Sequence, residues 1–81
     1  MQATTTITLL VQDLSHSDKY YNIEIASDAT VEELKCLIAI ESTIDPERQI
    51  LAFRQEVLRK DSNRISQHGI QNNDMLNLQI T

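Results

Sequence analysis

Residues 27–53, SDATVEELKCLIAIESTIDPERQILAF, hold a helix with its start and stop signals, a single-proline turn and the entry into a buried strand. Thr30 or Asp28 suits the N-cap, because a short side-chain oxygen accepts from the orphan N–H groups of a first helical turn. Thr30 and Glu33 have the spacing of a capping box, and Glu32 and Glu33 sit where the helix dipole favours negative charge. Val31, Leu34 and Ile38 recur at three- and four-residue steps and form one apolar stripe, which Leu37 widens. Ser42 and Thr43 end the stripe. Asp45-Pro46 keeps it from restarting, since the residue before proline is pushed out of the helical region. One helix of about three turns cannot bury such a stripe alone, so the flanking segments must supply a surface for it.

Upstream, residues 5–11 alternate, with Ile7, Leu9 and Val11 on one side and Thr6, Thr8 and Leu10 on the other. That is the pattern of a half-buried strand. Residues 12–19, QDLSHSDK, read as a hairpin loop longer than the two-residue kind. Residues 20–26 alternate again, with Tyr21, Ile23 and Ile25 inward and Tyr20, Asn22 and Glu24 outward. An antiparallel hairpin would set Leu10 and Tyr20 as cross-strand neighbours on its outer face.

Downstream, residues 49–53 form a third strand with Leu51 and Phe53 inward and Ile50 and Ala52 outward. The turn at Arg54-Gln55-Glu56 lacks glycine, which predicts a non-glycine residue at positive φ before a short segment around Val57 and Leu58. Residues 59–64 are a polar loop. Residues 65–68 predict a single helical turn closed by Gly69, the only glycine in the chain, placed where a left-handed residue is needed. Ile70 anchors the loop, Asn72-Asn73-Asp74 turns the chain, and residues 75–80 alternate Leu76, Leu78 and Ile80 with Asn77 and Gln79. Strand–strand–helix–strand–short strand–turn–strand is the order of a β-grasp: an α+β fold, a mixed sheet with one main helix across one face.

Eighty-one residues bound one small domain, and 41% hydrophobic against 23% charged residues exclude a disordered tail. A single cysteine, Cys36, excludes an internal disulfide and points to a reducing compartment, the cytoplasm or also the nucleus. No apolar run approaches the roughly 20 residues of a membrane span, and MQATTTITLL has no basic flank of the kind a signal peptide carries. Charge is divided unevenly. Residues 1–47 hold nine acidic and two basic side chains, a net −7; residues 48–81 hold three acidic and five basic, a net +2. An acidic chain argues against nucleic acid as a partner, because neutralising phosphates takes dense Lys and Arg.

Chemistry-bearing clusters are hard to find. His16 and His68 are far apart in sequence and Cys36 has no partner at metal-ligand spacing, so no metal or other cofactor is expected. Nothing beside Cys36 in the sequence would activate its thiol. Phosphate-cradling loops need several glycines. Asp61-Ser62-Asn63 is similar to the Asp-Ser/Thr-Gly signature of aspartic proteases, but asparagine replaces the glycine and the triplet reads as a polar turn. No enzyme is expected from these residues. What remains is surface: Leu10, Tyr20, Ile50, Ala52, Asn77 and Gln79 outward on the strands, Val57 nearby, and Arg54 and Arg59 at the rim. A contiguous apolar patch with a charged rim is a candidate interface. Ile40 lies off the main stripe and either packs under the neighbouring loop or offers a small helical contact.

In this order of elements the chain resembles a ubiquitin-like domain over nearly its whole length, residues 1–81. The resemblance rests on Thr30-Val31-Glu32-Glu33-Leu34-Lys35, Ile38 and the run from Ile44-Asp45-Pro46 to Phe53, then on Leu58, His68-Gly69-Ile70 and Asp74-Met75-Leu76-Asn77-Leu78. It implies a partly buried Lys35 paired with Asp61. Ile40-Glu41-Ser42, Pro46, Gln49 and the Gly69-Ile70…Asp74 ending are most similar to the N-terminal domain of the DNA-damage-inducible shuttle proteins, which carry a retroviral-type aspartic protease domain further on. The resemblance therefore implies the N-terminal module of a longer protein, non-catalytic itself. It would be a monomer in isolation, binding proteasome ubiquitin receptors, ubiquitin or ubiquitin-binding domains, with no nucleic acid and no membrane. Ubiquitin's aliphatic patch falls here on Ala52, Asn77 and Gln79, which are small or polar, and Leu78-Gln79-Ile80-Thr81 is no Gly-Gly tail for conjugation. Two other readings stand beside it: a β-grasp signalling domain that pairs its second strand with a small GTPase, or a regulatory domain acting within its parent protein.

Overall fold

The computed structural model describes residues 5–15 and 19–81; His16 and the middle of the first hairpin loop lie outside them. The elements are β1 (Thr6–Asp13), β2 (Tyr20–Ala26), α1 (Val31–Ser42), β3 (Gln49–Phe53), β4 (Glu56–Val57) and β5 (Met75–Ile80), with short 3-10 turns at Pro46–Arg48 and Ile65–His68. The sheet runs β2-β1-β5-β3-β4. Its central pair, β1 and β5, is parallel and the other neighbours are antiparallel. This is the mixed-sheet β-grasp that the order of elements implied.

The helix is bounded by the residues that the sequence marks. Thr30 is the N-cap, its Oγ1 accepting from Glu33 N–H at 3.2 Å. The remaining orphan donors are met from a distance: Val31 N–H donates to the Asn63 carbonyl at 2.9 Å and Glu32 N–H to the Asp61 carbonyl at 3.0 Å. A free helix would leave these groups to water. Asp61-Ser62-Asn63, a polar turn in sequence, is therefore the lid on the helix N-terminus, and Lys35 Nζ fastens it through Asp61 Oδ1 at 2.9 Å. At the other end Thr43 turns left-handed at φ 61. Asp45 is extended, as its proline requires, but Pro46 opens a short 3-10 turn instead of only blocking a helix.

Val31, Leu34 and Ile38 are fully buried against the inward residues of the sheet, among them Leu9, Val11, Ile23, Leu51, Leu76 and Leu78. Ile65 and Ile70 close the core from the loop side. Two buried polar residues break the pattern, Asp13 and Gln49. Asp13 extends β1 past the expected strand end, and its Oδ1 accepts from Ser15 N–H at 2.8 Å. Gln49 donates from Nε2 to the carbonyls of Lys35 and Ile44, each at 3.0 Å, and so ties β3 to the helix and to the segment that leaves it.

Phe53 and Glu56 pair directly, leaving a two-residue loop with Arg54 at φ 53 and Gln55 at φ 70. Two left-handed residues make a type I′ turn, a hairpin connection that favours Asn-Gly. Holding a non-glycine residue there costs about 1 kcal/mol. Gln55→Gly is expected to stabilise the fold by about 1 kcal/mol, raising the thermal midpoint by roughly 5 °C. An unchanged or lower midpoint in a melting experiment would remove turn strain from the account.

Candidate functional site

One face of the sheet carries the helix; the site residues lie on the other or at its edge. Register lines them up. Tyr20 pairs with Gln12, Gln12 with Asn77, Asn77 with Ala52 and Ala52 with Val57, so a single row crosses all five strands. One step along, Ile50 pairs with Gln79; one step the other way, Leu10 sits between Asn22 and Met75. Side chains on alternate residues share a face, and direct neighbours stand about 5 Å apart.

Three placements differ from the sequence reading. Leu10 and Tyr20 are diagonal, not opposed, because the hairpin register sets Leu10 across from Asn22. Arg54 is drawn off the outer rim: its Cζ stands 5.0 Å from the centroid of the Phe53 ring, which belongs to the core side of the sheet. Ile40 is 75% exposed, so it does not pack under a loop.

Two residues were missed. Met75 is exposed beside Leu10, and the alternation that places Asn77 and Gln79 outward also signals it. Leu14, exposed just past β1, has the parity of Leu10 and Gln12; its N–H donates to the Leu78 carbonyl at 2.9 Å. The outer face thus has one apolar group at Leu10, Met75 and Tyr20 and another at Ile50, Ala52 and Val57, parted by the amides of Gln12 and Asn77. The Gln12 amide Nε2 donates to the Tyr20 hydroxyl at 3.5 Å. A surface of half-buried aliphatics around polar groups suits a protein partner.

Elsewhere, His68 Nδ1 stands 3.9 Å from Glu56 Oε1. Cys36 is exposed on the helix. Among the described residues no three of His, Cys, Asp and Glu group as metal ligands, and no helix is long and apolar enough to cross a membrane.

The ubiquitin family model matches residues 7–81. The chain belongs to the ubiquitin family. Within that family a solved relative in fold is the solution structure of a ubiquitin-like domain from an Arabidopsis thaliana protein. It is 21% identical, superposes with a TM-score of 0.88 and covers 99% of this chain and 82% of its own. No curated protein matches the sequence. Membership makes the chain a protein-interaction module in the general manner of ubiquitin-like domains, and the Lys35–Asp61 pair that the resemblance implied is present, with the Lys35 side chain only 12% exposed.

Proposed function

We propose that this ubiquitin-family chain is a non-catalytic adaptor module that docks weakly, through its open sheet face, onto ubiquitin or the ubiquitin receptors of the proteasome. In this reading it is a monomer of the cytoplasm or nucleus and the N-terminal module of a shuttle protein of the DNA-damage-inducible kind, ahead of an aspartic protease domain. The observation that supports it is the row from Tyr20 to Val57 on the face the helix leaves uncovered.

Weak binding follows from the residues at its centre. Ala52 and Asn77 replace the fully buried aliphatic contact that is worth roughly 1.5–3 kcal/mol, or about tenfold to a hundredfold in affinity. Titration of the isotope-labelled chain with ubiquitin, and separately with a proteasome ubiquitin receptor, is expected to shift amides of Leu10, Ala52, Val57 and Asn77 in fast exchange. Ala52→Arg, a change on the outward side of β3, is expected to abolish those shifts. A spectrum unmoved by either partner at millimolar concentration would end the adaptor reading.

A further inference from the structure

Between β4 and the short turn at Ile65–His68 lies an open cleft of about 420 Å³. Glu56 on its wall pairs with Phe53, which belongs to the core side of the sheet, and Val57, the partner of Ala52, is where the cleft meets the outer face. The loop beside it is fixed by its own backbone. Asn63 N–H donates to the Lys60 carbonyl at 3.1 Å, and the Asn63 carbonyl accepts from Val31 N–H at the start of α1. Groups carried on such a loop are held in place before any ligand arrives.

The polar groups in this cleft are unspent. The His68 side chain is only 13% exposed, yet neither ring nitrogen has a hydrogen bond within the fold: Nδ1 stands 3.9 Å from Glu56 Oε1, and Nε2 is enclosed with no partner. Folded chains seldom leave an enclosed polar atom unpaired, and an ion or a water commonly supplies what the chain does not. The Arg59 guanidinium and the Lys60 ammonium line the same cleft and have no ion pair or hydrogen bond among the described residues. Glu56 is the one carboxylate there; at 75% exposure it is free to swing out to water.

Two unpaired cations beside an unsatisfied imidazole, in the half of the chain with a net +2, suit an oxyanion. A carboxylate would neutralise one of the cations. A phosphomonoester carries about −1.5 to −2 of charge and three acceptor oxygens, enough for Arg59, Lys60 and the His68 ring together, and the guanidinium fork matches phosphate in two parallel bonds. Because the cleft is open, a free phosphate ion would keep much of its water there. A phosphate carried on a chain gains further contact along Val57. We propose that this cleft binds a phosphorylated serine or threonine in an extended segment of a partner protein, held by Arg59, Lys60 and His68. The site does not depend on which partner the outer face takes.

The test is a titration of the isotope-labelled chain, at constant ionic strength, with a short synthetic peptide of alanines and valines around one phosphoserine. Amides of Arg59, Lys60, Asn63 and His68 are expected to shift together with the ring nitrogens of His68, while Leu10 and Asn77 on the outer face stay still. The unphosphorylated peptide is expected to move nothing, and inorganic phosphate to bind about tenfold more weakly than the phosphopeptide. Arg59→Gln and Lys60→Gln, at exposed loop positions, are each expected to weaken binding about tenfold. Lys19→Gln removes the same charge beside β2, at the opposite edge of the sheet, and is expected to leave binding unchanged. His68→Phe keeps a flat ring without nitrogens; it is expected to weaken binding about tenfold without lowering the thermal midpoint, because those nitrogens hold nothing within the fold. The proposal is overturned by still Arg59–Asn63 amides at millimolar phosphopeptide, by equal binding of the unphosphorylated peptide or of inorganic phosphate, by a loss from Lys19→Gln as large as that from Lys60→Gln, or by a lowered midpoint or undiminished binding in His68→Phe.

Discussion

Gln49→Glu is expected to destabilise the fold by about 3 kcal/mol at neutral pH and by only about 1 kcal/mol in acid. Gln49 is 3% exposed, and its amide spends both N–H groups on the carbonyls of Lys35 and Ile44. A carboxylate has no N–H to offer, so two carbonyl oxygens would face a buried negative charge. Burial raises the folded pKa of the new carboxyl above its unfolded value near 4.3, so the unfolded chain releases the proton first. The extra penalty is therefore absent below about pH 4 and grows by about 1.4 kcal/mol per pH unit above it. It levels off once the folded carboxyl ionises. In acid the protonated group still donates one bond and leaves one carbonyl unmet. Urea unfolding of both proteins in acidic and neutral buffer checks this; a difference from the parent that is equal at both would show the site to be open to water.

The second large effect concerns the short turn that precedes Gly69. Ile65→Ala is expected to cost about 2–5 kcal/mol, a large part of the roughly 4–12 kcal/mol that holds a chain of this size. Ile65 has no exposed surface, and its N–H donates to the Ala29 carbonyl at 2.8 Å, next to the helix N-cap. Emptying that position leaves a cavity under the start of the helix and loosens the lid formed by Asp61 and Asn63. Leu14→Ala, an exposed aliphatic truncation, serves as the control and is expected to change stability by less than about 0.5 kcal/mol. Denaturant midpoints compare the two; a cost for Ile65→Ala as small as the control's would make the turn a surface ornament.

Local order was legible from residue type because it depends on neighbours in sequence. Val31, Leu34 and Ile38 declared the helix, Thr30 its start, and the alternations at Ile7–Leu9–Val11 and Leu76–Leu78 the strands that pair at the sheet centre. The turn without glycine correctly implied a left-handed residue, and two are present. Long-range pairings were not legible in that way. Nothing near Asp61 or Asn63 says that their carbonyls cap a helix some thirty residues earlier in the chain. Gln49 has the inward parity of Leu51 and Phe53, yet only the fold brings two carbonyls to its amide. The outer face was read from alternation and so was largely recovered. It differed in one register, Leu10 against Asn22 instead of Tyr20, and in one side-chain placement, Arg54 folded back over Phe53.

The last residue described makes the chain convenient to handle. Thr81 N–H donates to the Arg48 carbonyl at 2.9 Å, and Arg48 Nε donates to the Thr81 carbonyl at 3.2 Å. The strand end is stitched to the turn before β3. Any reporter, tether or fused polypeptide joined after Thr81 starts from that corner, some four residues and roughly 13 Å along the strands from Ala52 and Asn77. A tether there lies nearest the Ile50–Gln79 end of the outer face and farthest from the Leu10–Met75 end.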